Sequence, residues 1–313
     1  MKHRLGWAGI GVAIVAAACA APPAPAGGGA AGTVSVWRCG DQTARIVAGA
    51  PPRLALAGES FELREVPAAS GARYEAVADA TTGVWNKGDR ATVTLRGQAL
   101  PECSPLVGAP LVALGHEPGW RLDLGDGRLR LAIDHGSRRY DAALPPAQPL
   151  ADGWRHVADT PAGRVEVDVH DRLCADVATG MPHPLTVRVF AEGRHFDGCG
   201  GDPASLLVGA EWGVVEISGA APVAASRASL RFGSDGRVAG RASCNAFTAA
   251  WRLDGEGLRI GAAAATKMAC APPLMAQEGR FFALLAAVER FEIAADGALV
   301  LHARGGGRLV ARR

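Results

Sequence analysis

The chain has 313 residues, a length suited to two or three domains. Its formal net charge is only +2, from 33 basic and 31 acidic residues, so there is no basic field to hold a nucleic acid. Aromatics make up 5% while alanine and glycine abound, a composition for thin β-rich modules rather than one large core.

The N-terminus reads as an address. Lys2, His3 and Arg4 form a charged start to the apolar run LGWAGIGVAIVAAA. That run is too short to span a bilayer comfortably and has the form of a signal peptide over residues 1–18. AAAC, residues 16–19, resembles a bacterial lipobox, in which the cysteine is lipidated after cleavage. Ala18-Cys19-Ala20 also reads as an ordinary A-x-A cleavage site, leaving a free periplasmic or secreted protein. On the first reading Cys19 is a lipid anchor to the membrane. Ala20 then carries no inner-membrane retention charge, which by resemblance to proteobacterial lipoproteins implies the outer membrane, facing the periplasm. Residues 19–33, rich in Ala, Pro and Gly, are a flexible tether with stiffer proline steps.

After the tether nearly every periodic segment predicts a strand. ATVTLRG puts Ala91, Val93 and Leu95 on one face and Thr92, Thr94 and Arg96 on the other. In GWRLDLGDGRLRLAID, Trp120, Leu122 and Leu124 alternate, Gly125-Asp126-Gly127 turns, and Leu129, Leu131 and Ile133 alternate again, which is a hairpin. RVEVDVH repeats the pattern with Val165, Val167 and Val169, and SLRFGSDGRVAG is a second hairpin turning at Ser234-Asp235-Gly236. PPLMAQEGRFFALLAAVERF differs. Its prolines suit a first helical turn, and Phe281, Leu285 and Val288 fall on one helical face.

Seven cysteines occur, and six remain once Cys19 is set aside. They fall in sequence as three couples: Cys39 with Cys103, Cys174 with Cys199, Cys244 with Cys270. An oxidising envelope favours disulfides, with free buried thiols as the alternative. The couples and the breakers divide the chain at residues 34–104, 105–205 and 206–313. The expected fold class is therefore mainly β: three small disulfide-pinned β-rich domains in tandem, the last with one helix.

The segments VSVWRC, SGARY, WNKGDRATVTL and LPECS resemble the membrane-bound lysozyme inhibitors of c-type lysozyme, over residues 34–104. The resemblance implies a small antiparallel β-barrel with a disulfide. It also implies c-type lysozyme as a protein partner, with a serine and a lysine entering its cleft; here these are Ser70 and Lys87. Gly71 and Gly88 let the two turns approach closely, and Arg73 and Tyr74 complete the binding motif. The chemistry stands without the family. Such a lysozyme works with two carboxyl groups flanking the sugar bond, and a lysine ammonium is a compact cation with three donors suited to lie between them. Two departures stand out. EAVADATTGV is longer than the family's pattern, and residues 34–105 hold eight basic and eight acidic residues, so a basic lysozyme gains no long-range attraction.

LRFGSDGRVAGRASCNAF, ATKMACAPPLMAQEGRFFALLAAVERFEI and LVLHARGGGRLVARR resemble the META domain of heat-inducible envelope lipoproteins, a family with no settled activity. There Asn245 reads as a turn or capping residue. The middle segment, with GHEPGW and FDGCGG, resembles uncharacterised envelope domains. It holds six of the eight histidines (His116, His135, His156, His170, His183 and His195), but their scattered spacing is not that of a metal site, and no cofactor is expected. No nucleophile elbow or phosphate loop occurs, so the sequence predicts a binding protein rather than an enzyme. The leading expectation is an envelope-anchored lysozyme inhibitor. The alternative is a non-inhibitory structural or stress-response envelope lipoprotein.

Overall fold

Alternating apolar residues need a sheet with one covered face, and the chain builds three such sheets. The computed structural model describes residues 34–313 apart from 41, 89 and 256. The expected signal peptide, Cys19 and the tether lie outside the described residues.

The first sheet contains β1 (Val34–Cys39), β2 (Gln42–Val47), β3 (Arg53–Leu56), β4 (Glu59–Val66), β5 (Ala72–Ala76), β6 (Gly83–Lys87), β7 (Arg90–Leu95), β8 (Gln98–Ala99) and β9 (Cys103–Pro105). Its order is β6-β5-β4-β3-β2-β1-β9-β7, and β7 pairs back on β6, which closes an eight-stranded antiparallel barrel. The short β8 hangs on β7. Closure leaves no long free edge to template aggregation. Ala91 and Val93 point inward to join Leu54, Leu56, Leu63 and Val84, as the alternation predicts.

The middle sheet has nine strands in a half-barrel running from Arg138–Ala143 at one edge to Gln148–Leu150 at the other. Trp120, Leu122, Leu124, Leu129, Leu131 and Ile133 are all buried, with Val165, Val167 and Val169 beside them. The third sheet is a near-closed barrel with the helix Pro272–Ala286 packed on it through Phe281, Leu284 and Leu285. The helix is shorter than its apolar spacing suggested. Ala287 caps it, and Val288 opens a strand, Val288–Ile293, instead of continuing the helical face. The reason is local. After Ala287 the pattern turns to β-branched and aromatic residues at period two, with Val288 and Phe291 buried across a bulge.

Each sheet carries one disulfide: Cys39–Cys103, Cys174–Cys199 and Cys244–Cys270. With sequence separations of 64, 25 and 26, the loop-entropy model gives about 4 kcal/mol for the first and about 3.5 kcal/mol for each of the others. The three cores also interlock. Val34 and Val36 of β1 belong to the core cluster of the middle sheet, and Met181 of the middle segment belongs to that of the third. Arg38 adds an ion pair to Asp171 at 2.6 Å, and Arg45 donates to the carbonyl of Ala151 at 2.7 Å.

Candidate functional site

Hairpin connectivity places the site. In the barrel β5 runs away from Ser70 and β6 runs back toward Lys87, with Ala72 opposite Asn86 and Arg73 opposite Trp85. The turn before β5 and the turn after β6 are therefore neighbours at one barrel end. Ser70, Gly71, Lys87 and Gly88 are all exposed there.

Three contacts fix the pair of loops. The Trp85 indole N–H donates to the carbonyl oxygen of Ser70 at 2.9 Å. The Lys87 ammonium lies over the Trp85 ring, 3.6 Å from its centroid. Gly71, at φ +70°, passes so near β6 that a Cβ there would fall 2.0 Å from the carbonyl oxygen of Asn86 and 3.1 Å from Cγ of Lys87. Only glycine combines that backbone angle with that approach. Gly88 also has a positive φ, +65°, but nothing crowds it.

Arg73 and Tyr74 take opposite faces of β5. Arg73 points outward and pairs with Glu75 at 3.2 Å. Tyr74 is half-buried and packs against the barrel core. Sequence reasoning did not single out Trp85 as the residue tying the two loops. The signal was its spacing, two residues before Lys87 and hence on the same strand face.

The lengthened segment falls at the other end. Residues 77–82 form the tip of the β5–β6 hairpin, beyond the five residues of β5, or ~16 Å of strand, from Ser70. The tip is ordered by its own side chains. Asp79 accepts from the Thr81 amide at 3.0 Å, the Thr81 hydroxyl at 2.6 Å and the Thr82 hydroxyl at 2.7 Å. Hydrogen bonds from Thr81 and Thr82 hold the Asp79 carboxyl below its usual range. Buried Thr82 in turn accepts from the Arg96 amide at 2.9 Å, seating the tip on the β7–β8 turn.

The histidines of the middle sheet find separate partners. His116 meets Asp176 at 2.7 Å, His170 meets Asp152 at 2.7 Å, His156 bonds the Pro145 carbonyl at 2.8 Å, and His183 bonds that of Gly201 at 3.0 Å. His195 packs against Phe190. Among the described residues no three metal-ligating side chains converge.

In the third sheet Asn245 is a hub. Its side-chain oxygen accepts from the Thr266 hydroxyl and the Met268 amide, both at 2.7 Å. Its amide group donates to the Met268 carbonyl at 3.2 Å and to the buried Glu278 carboxylate at 2.8 Å. Glu278 also accepts from the backbone amides of Cys244 and Asn245. The CN and T-x-MAC segments thus dock onto the helix through one side chain, a joining role beyond the turn the sequence suggested.

Residues 37–101 match the family model for the membrane-bound lysozyme-inhibitor of c-type lysozyme, and residues 205–313 match the META domain. The chain carries these two domains, and the region between them matches neither. Both families are associated with the bacterial envelope, and the inhibitor family is non-enzymatic. No curated protein matches. A solved structure, the NMR structure of a protein from Burkholderia xenovorans, is 24% identical over 36% of this chain and 88% of that one, with a TM-score of 0.31.

Proposed function

We propose that the protein inhibits c-type lysozyme by presenting Ser70 and Lys87 to the active-site cleft, with Cys19 anchoring it by a lipid to the outer membrane. The observation that carries the reading is the pairing of two exposed turns, tied through Trp85, at one end of an inhibitor-family barrel. The target works with two carboxyl groups flanking the glycosidic bond. Lys87 supplies a charge with three donors between them, and the Ser70 hydroxyl donates to one carboxylate.

Lys87 rests on an indole in the free protein, a contact of about 0.5–1 kcal/mol at an exposed site. Exchange of that contact for desolvated carboxylates favours the docked state, since hydrogen bonds to charged groups contribute about 1.5–3 kcal/mol. The interaction occludes the cleft and involves no chemistry. The balanced charge of residues 34–105 gives no steering, so affinity comes from the local plug.

The test is residual lysozyme activity against graded amounts of the purified protein, beside Lys87→Ala and Ser70→Ala. Inhibition that both substitutions weaken supports the plug. Inhibition that survives the double substitution assigns another surface. Absence of inhibition by the folded, oxidised protein favours the stress-response reading.

A further inference from the structure

The middle sheet carries a pocket that lysozyme binding does not use. Residues 172–183 leave the sheet and fold back over its outer face as a small flap, with Cys174–Ala175 paired to Pro182–His183. The Cys174–Cys199 disulfide, the His116–Asp176 contact at 2.7 Å and the bond from His183 to the Gly201 carbonyl at 3.0 Å pin the flap down, and Met181 is buried in the core cluster of the third sheet. Between flap and sheet lies a cavity of about 670 Å³. That volume is within the range of small-molecule sites.

Part of its lining is apolar and open to solvent. Leu114 on the sheet is 37% exposed, and Leu173 and Val177 on the flap are 47% and 84% exposed. These are three of the few large apolar side chains left open among the described residues, and they surround one hollow. Grouped exposed apolar residues around a concavity mark binding sites.

The charges at the rim select the ligand. Glu117, Asp176 and Asp197 line the pocket against Arg172 and Arg188. Both guanidinium groups are already held, Arg188 by Asp197 at 2.6 Å and Arg172 by Asp152 at 3.1 Å. Asp176 accepts from His116 and from the Thr179 amide and hydroxyl. Glu117 is exposed and has no hydrogen-bond or ion-pair partner among the described residues. An anionic ligand would have to break an existing ion pair, whereas a cation meets a free carboxylate.

We propose that this pocket binds a small organic cation with an apolar body, its charge beside Glu117 and its body against Leu114, Leu173 and Val177. The test uses two ions of one shape and opposite charge. The full protein is titrated calorimetrically with tetraphenylphosphonium and, in parallel, with tetraphenylborate.

Saturable one-site binding of the cation, at least about tenfold tighter than the anion, is the expected result. Glu117→Gln should weaken it about three- to fivefold, the size of a partly exposed charge pair, and Leu173→Ser by a similar factor. Both side chains are exposed, so neither substitution removes a core contact. Absence of saturable cation binding, equal binding of the two ions, or binding that both substitutions leave unchanged would overturn the proposal.

Discussion

The Lys87 ammonium sits 3.6 Å from the centroid of the Trp85 ring, while the same indole donates its N–H to the Ser70 carbonyl at 2.9 Å. One side chain therefore orients both proposed contact residues. Trp85→Phe keeps an aromatic face and removes the donor. It should weaken lysozyme inhibition about three- to tenfold, the value of one hydrogen bond of about 0.5–1.5 kcal/mol. If Trp85 acts through the Ser70 loop, the same substitution should cost much less in a Ser70→Ala background. Inhibition constants for the four proteins of that cycle decide the matter, and strict additivity would exclude the coupling.

The two turn glycines should respond differently. Gly71→Ala adds a Cβ that meets the Asn86 carbonyl at 2.0 Å in a left-handed conformation, so the Ser70 turn must leave β6. Inhibition should fall more than about tenfold, with a barrel destabilised by over about 1 kcal/mol. Gly88→Ala meets nothing within 4 Å and bears only the backbone cost, about 1 kcal/mol. A side-by-side comparison of inhibition and thermal melts tests this, and equal losses at the two positions would contradict it.

Much of this was legible in the sequence because a half-buried strand writes its own alternation. The alternate apolar residues from Trp120 to Ile133 and from Val165 to Val169 are buried as read. In the structure Ser70 and Lys87 lie on neighbouring turns at the open ends of β5 and β6. What alternation cannot encode is which core an inward residue joins. Val34 and Val36 look like any barrel strand, yet they pack into the middle core. The effect of the extra residues in EAVADATTGV was hidden for a similar reason. Length shows that a loop grows, but only the strand direction shows that it grows away from the site. The end of the helix was missed because Val288 fits both periods.

That placement of the extra residues makes its own prediction. Asp79→Ala removes the acceptor that organises the tip, so the thermal midpoint should drop. The inhibition constant, measured where the variant is folded, should stay within about twofold, because an exposed change remote from the contact shifts binding little. A large loss of inhibition in a folded Asp79→Ala protein would mean that the tip reaches the partner after all.

The flap over the middle sheet should be insensitive to mild acid. Burial works to raise the Asp176 pKa, but hydrogen bonds from His116 and from the Thr179 amide and hydroxyl outweigh it and hold it at about 2. A carboxyl whose folded pKa is depressed contributes stability that is complete above its unfolded value of 3.8 and lost as pH falls toward 2. A carbon-detected NMR titration of Asp176 should find its midpoint near 2, and Thr179→Ala should move it upward. A midpoint at the unperturbed 3.8 would show that these hydrogen bonds do not hold in solution.

Asn245 offers a test of how separately the two assigned domains work. Its side chain makes four hydrogen bonds, to Thr266, to Met268 twice and to Glu278, all within the third sheet. Asn245→Ala strands the Met268 amide and one oxygen of the buried Glu278 carboxylate, at a cost of about 2–4 kcal/mol. That loss should loosen the helix Pro272–Ala286, seen as faster amide exchange along it. The proposed lysozyme site lies on another sheet with its own core and its own disulfide, and among the described residues it shares no partner with Asn245. Inhibition should therefore persist in Asn245→Ala while the third domain frays. If inhibition falls in step with helix exchange, the interlocked cores transmit the loss, and the barrel depends on the rest of the chain for its shape.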